Sequence, residues 1–127
     1  MDQIREDGER LVLHREPASI AVARRFVSGV VTDPEMREVA VLLVSELTTN
    51  AVRHAMGDSF EVRVRLDGVV RVEVTDESGV LPERIPPSEE GAGGRGLLLV
   101  NAFASDWGVE SQPSGKTIWF ELAHRDS

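Results

Sequence analysis

Two runs of strict alternation, Phe60 to Leu66 (FEVRVRL) and Val70 to Val74 (VRVEV), limit the fold of this chain more tightly than anything else in it. A period of two sends the apolar side chains to one face and the charged ones to the other, so each run is a half-buried strand. Asp67-Gly68 joins them, and Asp-Gly between alternating runs is a strong hairpin signal, because both residues tolerate the positive φ of a tight turn. A hairpin by itself is marginal in water, so its apolar face must be covered by other elements.

The covering elements lie before and after it. Arg10 to His14 (RLVLH) reads as a short edge strand. From Pro17 a helix is expected, with Ile20, Ala23, Arg24 and Val27 at helical spacing and Gly29 ending it. A second helix begins with Asp33 or Thr32 as N-cap, Pro34 at its first position and Glu35 in its first turn, and runs to about Ala55. Thr75 to Arg95 has glycines and Pro86-Pro87 but little periodicity, and a loop of that length in a small domain is usually functional. Mobility is expected over residues 77–93. Gly96 to Ala104 reads as a short helix, followed by strands around Trp107 to Glu110 and Thr117 to Leu122, joined by Pro113-Ser114-Gly115. No repeat, linker or shift of composition divides the chain. The expectation is one domain over residues 1–127 with its core at about 10–123. Helices and hairpins are segregated rather than alternating, which predicts an α+β two-layer sandwich.

Composition narrows the function. The net charge is -8, so a polyanion would be repelled at long range, and the chain has four Phe, two Trp and no Tyr for stacking bases. No nucleic-acid partner is expected. There is no cysteine, which excludes disulfides and thiolate chemistry and fits a reducing compartment. The charged start MDQIREDGER has no apolar run, and no stretch approaches the length needed to cross a bilayer, so the expectation is a cytoplasmic protein with no membrane partner.

The chemistry concentrates on the second helix. Its apolar stripe is expected through Val39, Leu42, Leu43 and Leu47, and Glu46 and Asn50, one turn apart, fall on or beside it. A carboxylate and an amide on that face cost free energy unless they are paired or used. They either hydrogen-bond locally at the margin of the stripe or have a task. The Asn50 side-chain oxygen is a neutral, hard ligand suited to Mg²⁺, and Glu46 could serve as general base toward a hydroxyl or water. His54, a further turn on, lines the same face or simply packs there. Asp76 follows an alternating strand and opens a glycine-bearing loop; it could accept a hydrogen bond from an exocyclic amine such as adenine's, or only start a turn. Gly91-Ala92-Gly93-Gly94-Arg95-Gly96 runs into Leu97-Leu98-Leu99-Val100. Glycines let a backbone approach phosphate, the following helix offers free N–H groups, and Arg95 adds a charged donor.

Two motifs fail on context. Gly91 to Gly96 matches G-x-G-x-x-G, yet no strand leads into it. Ser114-Gly115-Lys116-Thr117 looks like the end of a P-loop, but Glu110 occupies the leading glycine position and a strand follows. The three histidines have no metal-ligand spacing.

Val44 to Ala55 (VSELTTNAVRHA), then Asp76, then Gly94-Arg95-Gly96-Leu97, then Gly115-Lys116-Thr117 resemble the ordered boxes of the GHKL ATPase superfamily. Within it the chain is most similar to the anti-sigma-factor serine kinase-like ATP-binding proteins of bacteria, over about Arg15 to Ala123. The resemblance implies a Bergerat-type ATP-binding fold, a mixed, mainly antiparallel sheet with helices on one face. By position, Asn50 matches the Mg²⁺-binding asparagine, Glu46 the catalytic acidic residue and Asp76 the adenine-binding aspartate. Gly94 and Gly96 match phosphate-loop glycines, with Arg95 and Leu97 beside them, and Thr117 matches the threonine near adenine. His54 and Gly79 complete the expected nucleotide contacts. The family's aspartate box is typically D-x-G-x-G; here it reads Asp76-Glu77-Ser78-Gly79-Val80, with Ser78 at the first glycine.

The resemblance further implies Mg-ATP as cofactor, a sigma factor or an anti-anti-sigma protein of the STAS type as partner, and a homodimer. The expected activity is that of a serine/threonine protein kinase acting on the anti-anti-sigma partner and so regulating transcription. The alternative is a non-catalytic protein-binding module. A detached catalytic domain of a histidine kinase is disfavoured, because the helix before Asp33 contains no phosphoacceptor histidine.

Overall fold

The computed structural model describes residues 8–54, 57–77, 98–113 and 115–123. In chain order the elements are β1 (Glu9–His14), α1 (Ala18–Val30), α2 (Pro34–His54), β2 (Ser59–Leu66) and β3 (Val69–Asp76), then β4 (Asp106–Gln112) and β5 (Gly115–Ala123). Residues 98–103 are also helical. The five strands form one sheet in the order β1-β2-β3-β5-β4. All four ladders among the described residues are antiparallel, so no parallel pairing of the expected mixed sheet is seen there.

The hairpin expected from the alternation is the centre of the sheet. Phe60 pairs with Asp76 and Leu66 with Val70, and Gly68 takes φ +81° in the turn. The pleat then sorts the side chains. Val62, Val64, Val72 and Val74 are buried beneath the helices, joined from β5 by Ile118, Phe120 and Leu122. The intervening residues, Arg63, Arg65, Arg71, Glu73, Trp119 and Glu121, share the opposite face, where Arg71 pairs with Glu73 and Glu121.

α1 lies over β1 and β2 and packs along α2, which crosses β3 and β5. α1 buries Ala23 and Val27 and continues to Val30, one residue past Gly29, where a helix end was expected. α2 begins as expected: the Asp33 carboxylate accepts the Met36 N–H at 2.9 Å, the side-chain bond of an N-cap. Its buried stripe, however, is Ala40, Leu43, Val44, Leu47, Thr48 and Ala51. Leu42, expected on that stripe, is 39% exposed. Thr48 takes a core position because its hydroxyl donates to the Val44 carbonyl at 2.7 Å and so needs no other partner. Val100, from the helical residues 98–103, closes the core at 0% exposure. Among the described residues no helix is long and apolar enough to cross a membrane.

Candidate functional site

The sheet and α2 together decide which ends meet. The first turns of α2, through Asp33, Met36 and Val39, line a groove with Leu122 and Ala123 at the end of β5. The start of β5 and the end of β3 therefore lie toward the other end of α2, where Glu46 and Asn50 stand. The chain after α2 confirms this: a Cβ added at Gly57 would collide with the Glu77 carboxylate, so the exit of α2 comes down beside the residue following Asp76.

Glu46, Asn50 and His54 run in a line along α2, one turn apart, all half-buried at the flank of the stripe. Asn50 Oδ1 is buried and accepts no hydrogen bond among the described residues. Buried polar atoms are nearly always paired, which marks this amide oxygen as a candidate ligand atom. Its neighbours Thr48 and Thr49 differ: their hydroxyls return to the Val44 and Ser45 carbonyls at 2.7 and 2.6 Å.

The end of the helix is clamped by a residue that no local pattern marks. Arg15 donates from Nε to the Gly57 carbonyl at 2.8 Å and from Nη1 to the Val52 carbonyl at 2.9 Å. A guanidinium on the last carbonyls satisfies acceptors that the helix leaves unpaired and complements its dipole. That contact holds the turn that carries Asn50 and His54 against the sheet.

Asp76 is the last residue of β3 and is only 6% exposed. It pairs in the ladder with Lys116, and the Lys116 ammonium lies 3.1 and 3.0 Å from its two carboxylate oxygens. Lys116 is itself 7% exposed. The P-loop-like run around this lysine leads into a strand rather than a helix, and the ladder gives the lysine a partner forty positions away. Gly115 is forced by the same contact, since a Cβ there would run into the Asp76 carbonyl oxygen.

Thr117 is not brought to Asp76. It pairs with Thr75, and their hydroxyls are 2.7 Å apart on the outer face of the sheet. Successive side chains on β5 point to opposite faces, so a threonine directly after Lys116 cannot share the Lys116 side. Gly79, Gly94, Arg95, Gly96 and Leu97, together with Ser78 and nearly all of the expected mobile segment, lie outside the described residues.

The family profile of the histidine kinase-like ATPase domain matches residues 13–122. Among solved structures, the RsbU and RsbW domains of Rv1364c from Mycobacterium tuberculosis share the fold with a TM-score of 0.68 at 21% identity, over 91% of this chain and 31% of that one. The blue-light activated histidine kinase of Erythrobacter litoralis EL346 matches with a TM-score of 0.55 at 26% identity, over 83% of this chain and 39% of that one. A structure of its histidine kinase domain gives a TM-score of 0.50 at 29% identity, over 69% of this chain and 44% of that one. This chain thus spans less than half of each of these proteins.

Proposed function

This chain belongs to the histidine kinase-like ATPase domain family, and from that premise we propose that it binds Mg-ATP and transfers the γ-phosphoryl group to a serine of a regulatory protein partner. The observation that carries the reading is the Oδ1 of Asn50, buried and without a hydrogen bond among the described residues. A neutral, hard oxygen with an open lone pair suits Mg²⁺, which usually takes one or two protein oxygens and completes its shell with phosphates and water. Among the described residues no three His, Cys, Asp or Glu side chains gather to hold a metal by themselves, so an ion at Asn50 would draw most of its ligands from the nucleotide. Asn50 would hold such an ion, whose chemistry would be to offset negative charge on the phosphates.

The chain's own groups divide the remaining work. Glu46, one turn before Asn50, accepts the proton of the attacking serine hydroxyl as its oxygen bonds to the γ-phosphorus and ADP leaves. Asp76 accepts a hydrogen bond from the base. Gly94, Arg95, Gly96 and Leu97 contribute backbone and guanidinium donors to the phosphates. The partner class follows from the resemblance to anti-sigma-factor serine kinases: a STAS-type anti-anti-sigma protein carrying the serine, or a sigma factor held without phosphorylation.

A second reading, a binding module without transfer, draws support from Ser78 in the aspartate box and from the ammonium already seated on Asp76. Calorimetric titration of Mg-ATP into the wild type and Asn50→Ala separates the two, followed by transfer of labelled γ-phosphate to a STAS-domain protein. Micromolar binding that the variant loses, together with transfer, supports the kinase. Binding without transfer supports the module, and no binding by the wild type removes both nucleotide roles.

A further inference from the structure

We propose that Lys116 sets the base affinity and base selectivity of this site by competing with the nucleotide's exocyclic amine for Asp76; the inference rests on reading Asp76 as the base-contacting carboxylate. The ladder places Lys116 directly opposite Asp76, and both side chains point to the helix face of the sheet. The ammonium is nearly equidistant from the two carboxylate oxygens, at 3.1 and 3.0 Å, so it sits across the mouth of the carboxylate. An ionised carboxylate offers about four lone-pair positions, and the two that converge outward are the ones this ammonium takes. A base that presents an amine edge-on needs that same approach.

The pair is built rather than incidental. Both groups are almost fully buried, which makes the separated charges costly, and Gly115 brings the backbone of β5 against the Asp76 carbonyl so that Lys116 starts from a fixed point. The displacement is nevertheless feasible, because the ammonium is a compact charge on a flexible four-carbon stem and can swing aside where a guanidinium fork would not. Base binding and the Lys116–Asp76 contact are therefore alternatives, and the strength of the second subtracts from the first.

Selectivity follows from the sign of each group. Adenine presents a donor at its amine, which suits a carboxylate with no ammonium across it. Hypoxanthine presents a carbonyl oxygen at that position, which suits the ammonium and is repelled by the carboxylate. Removing Lys116 should thus improve ATP and harm ITP, an opposition that a purely structural lysine would not produce.

The test is calorimetric titration of ATP and of ITP, each with Mg²⁺, into the wild type, Lys116→Met, Lys116→Arg and Asp76→Asn, with thermal melts to confirm folding. Lys116→Met should bind ATP about tenfold more tightly, the effect of freeing one charged hydrogen-bonding partner, and ITP more weakly. Lys116→Arg, whose fork pairs more firmly with the carboxylate, should bind ATP more weakly. If Lys116→Met fails to fold, Lys116→Arg decides: unchanged or tighter ATP binding overturns the proposal. So does a Lys116→Met protein whose ratio of ATP to ITP affinity matches the wild type. An ATP affinity untouched by Asp76→Asn would take down the reading of the site and this inference with it. A collapse in Asp76→Asn beside a flat response in Lys116→Met would take down the inference alone.

Discussion

The guanidinium of Arg71 lies 4.0 Å from the centroid of the Trp119 indole, on the face of the sheet turned away from the helices. Beneath the indole is Gly108, where a Cβ would come within 2.8–2.9 Å of the ring atoms, so the ring is held between a bare backbone and a cation. Arg71 also donates to Glu73 at 2.7 Å and to Glu121 at 2.9 Å. Burial works against its charge, but the bonds and charges of Glu73 and Glu121 outweigh this and raise its pKa. A raised pKa means stability that is present below the unfolded value and lost only as pH rises through the folded one, which for an arginine lies in strong alkali.

Arg71→Ala should therefore destabilise the protein across the ordinary pH range. The loss should be about 1–2 kcal/mol, given a partly exposed network and one cation–π contact. Glu73 keeps Arg65 at 3.6 Å and Arg63 at 4.0 Å, which limits the damage. Urea unfolding measures the loss, and Trp119 emission in a Trp107→Phe background should move to longer wavelength. A melt equal to the wild type would mean that the network is mere surface decoration.

Glu46→Gln preserves the size of a half-buried side chain on α2 and removes its ability to take a proton. Mg-ATP affinity should stay within about threefold, while phosphoryl transfer should fall by roughly 10²–10⁴, the usual worth of a positioned base. Transfer surviving at the wild-type rate would assign Glu46 to the helix surface and leave the base elsewhere.

Asn50→Ala should lose Mg-ATP binding without losing stability. The amide oxygen is buried and unpaired among the described residues, so its removal relieves a polar group of the kind that costs about 1–3 kcal/mol. The expected nucleotide-free melt is equal to or above that of the wild type. A marked drop would show that the oxygen is a structural acceptor.

Thr117→Val tests the side of the sheet. Its hydroxyl bonds that of Thr75 at 2.7 Å on the outer face, so the variant should lose about 1 kcal/mol of stability and keep its ATP affinity within about twofold. A tenfold loss of affinity would put this hydroxyl beside the base, as the resemblance implied.

Gly115→Ala pushes a methyl group into the Asp76 carbonyl oxygen, and backbone cannot give way as a side chain can. Destabilisation of about 1–3 kcal/mol is expected, the range for overpacking, with weakened ATP binding as the Asp76–Lys116 register shifts. Thermal denaturation and the same titration check both effects, and a wild-type melt would mean that β5 moves freely against β3.

Much of this protein was legible locally. The β2–β3 hairpin, the Asp33 cap and the one-turn spacing of Glu46 and Asn50 each depend on residues within a few positions of one another. Periodicity and capping act over that range, so their signals are written along the chain. The orientation of α2 was only partly legible. Residue type suggested Leu42 as core, yet Thr48 and Ala51 took the inward positions, because packing against a particular sheet chooses the face and Thr48 satisfies its hydroxyl within its own turn.

Local patterns along the chain were enough for the main elements, the order of the boxes and the helix that presents Asn50. It took the folded sheet to show that Arg15 clamps the end of that helix, that Lys116 faces Asp76 and that Thr117 faces away from it. These contacts join positions about forty apart, and a strand shifted by one residue would exchange the faces of Lys116 and Thr117. Register is set by the whole sheet closing over one core, so no stretch of the chain carries it alone.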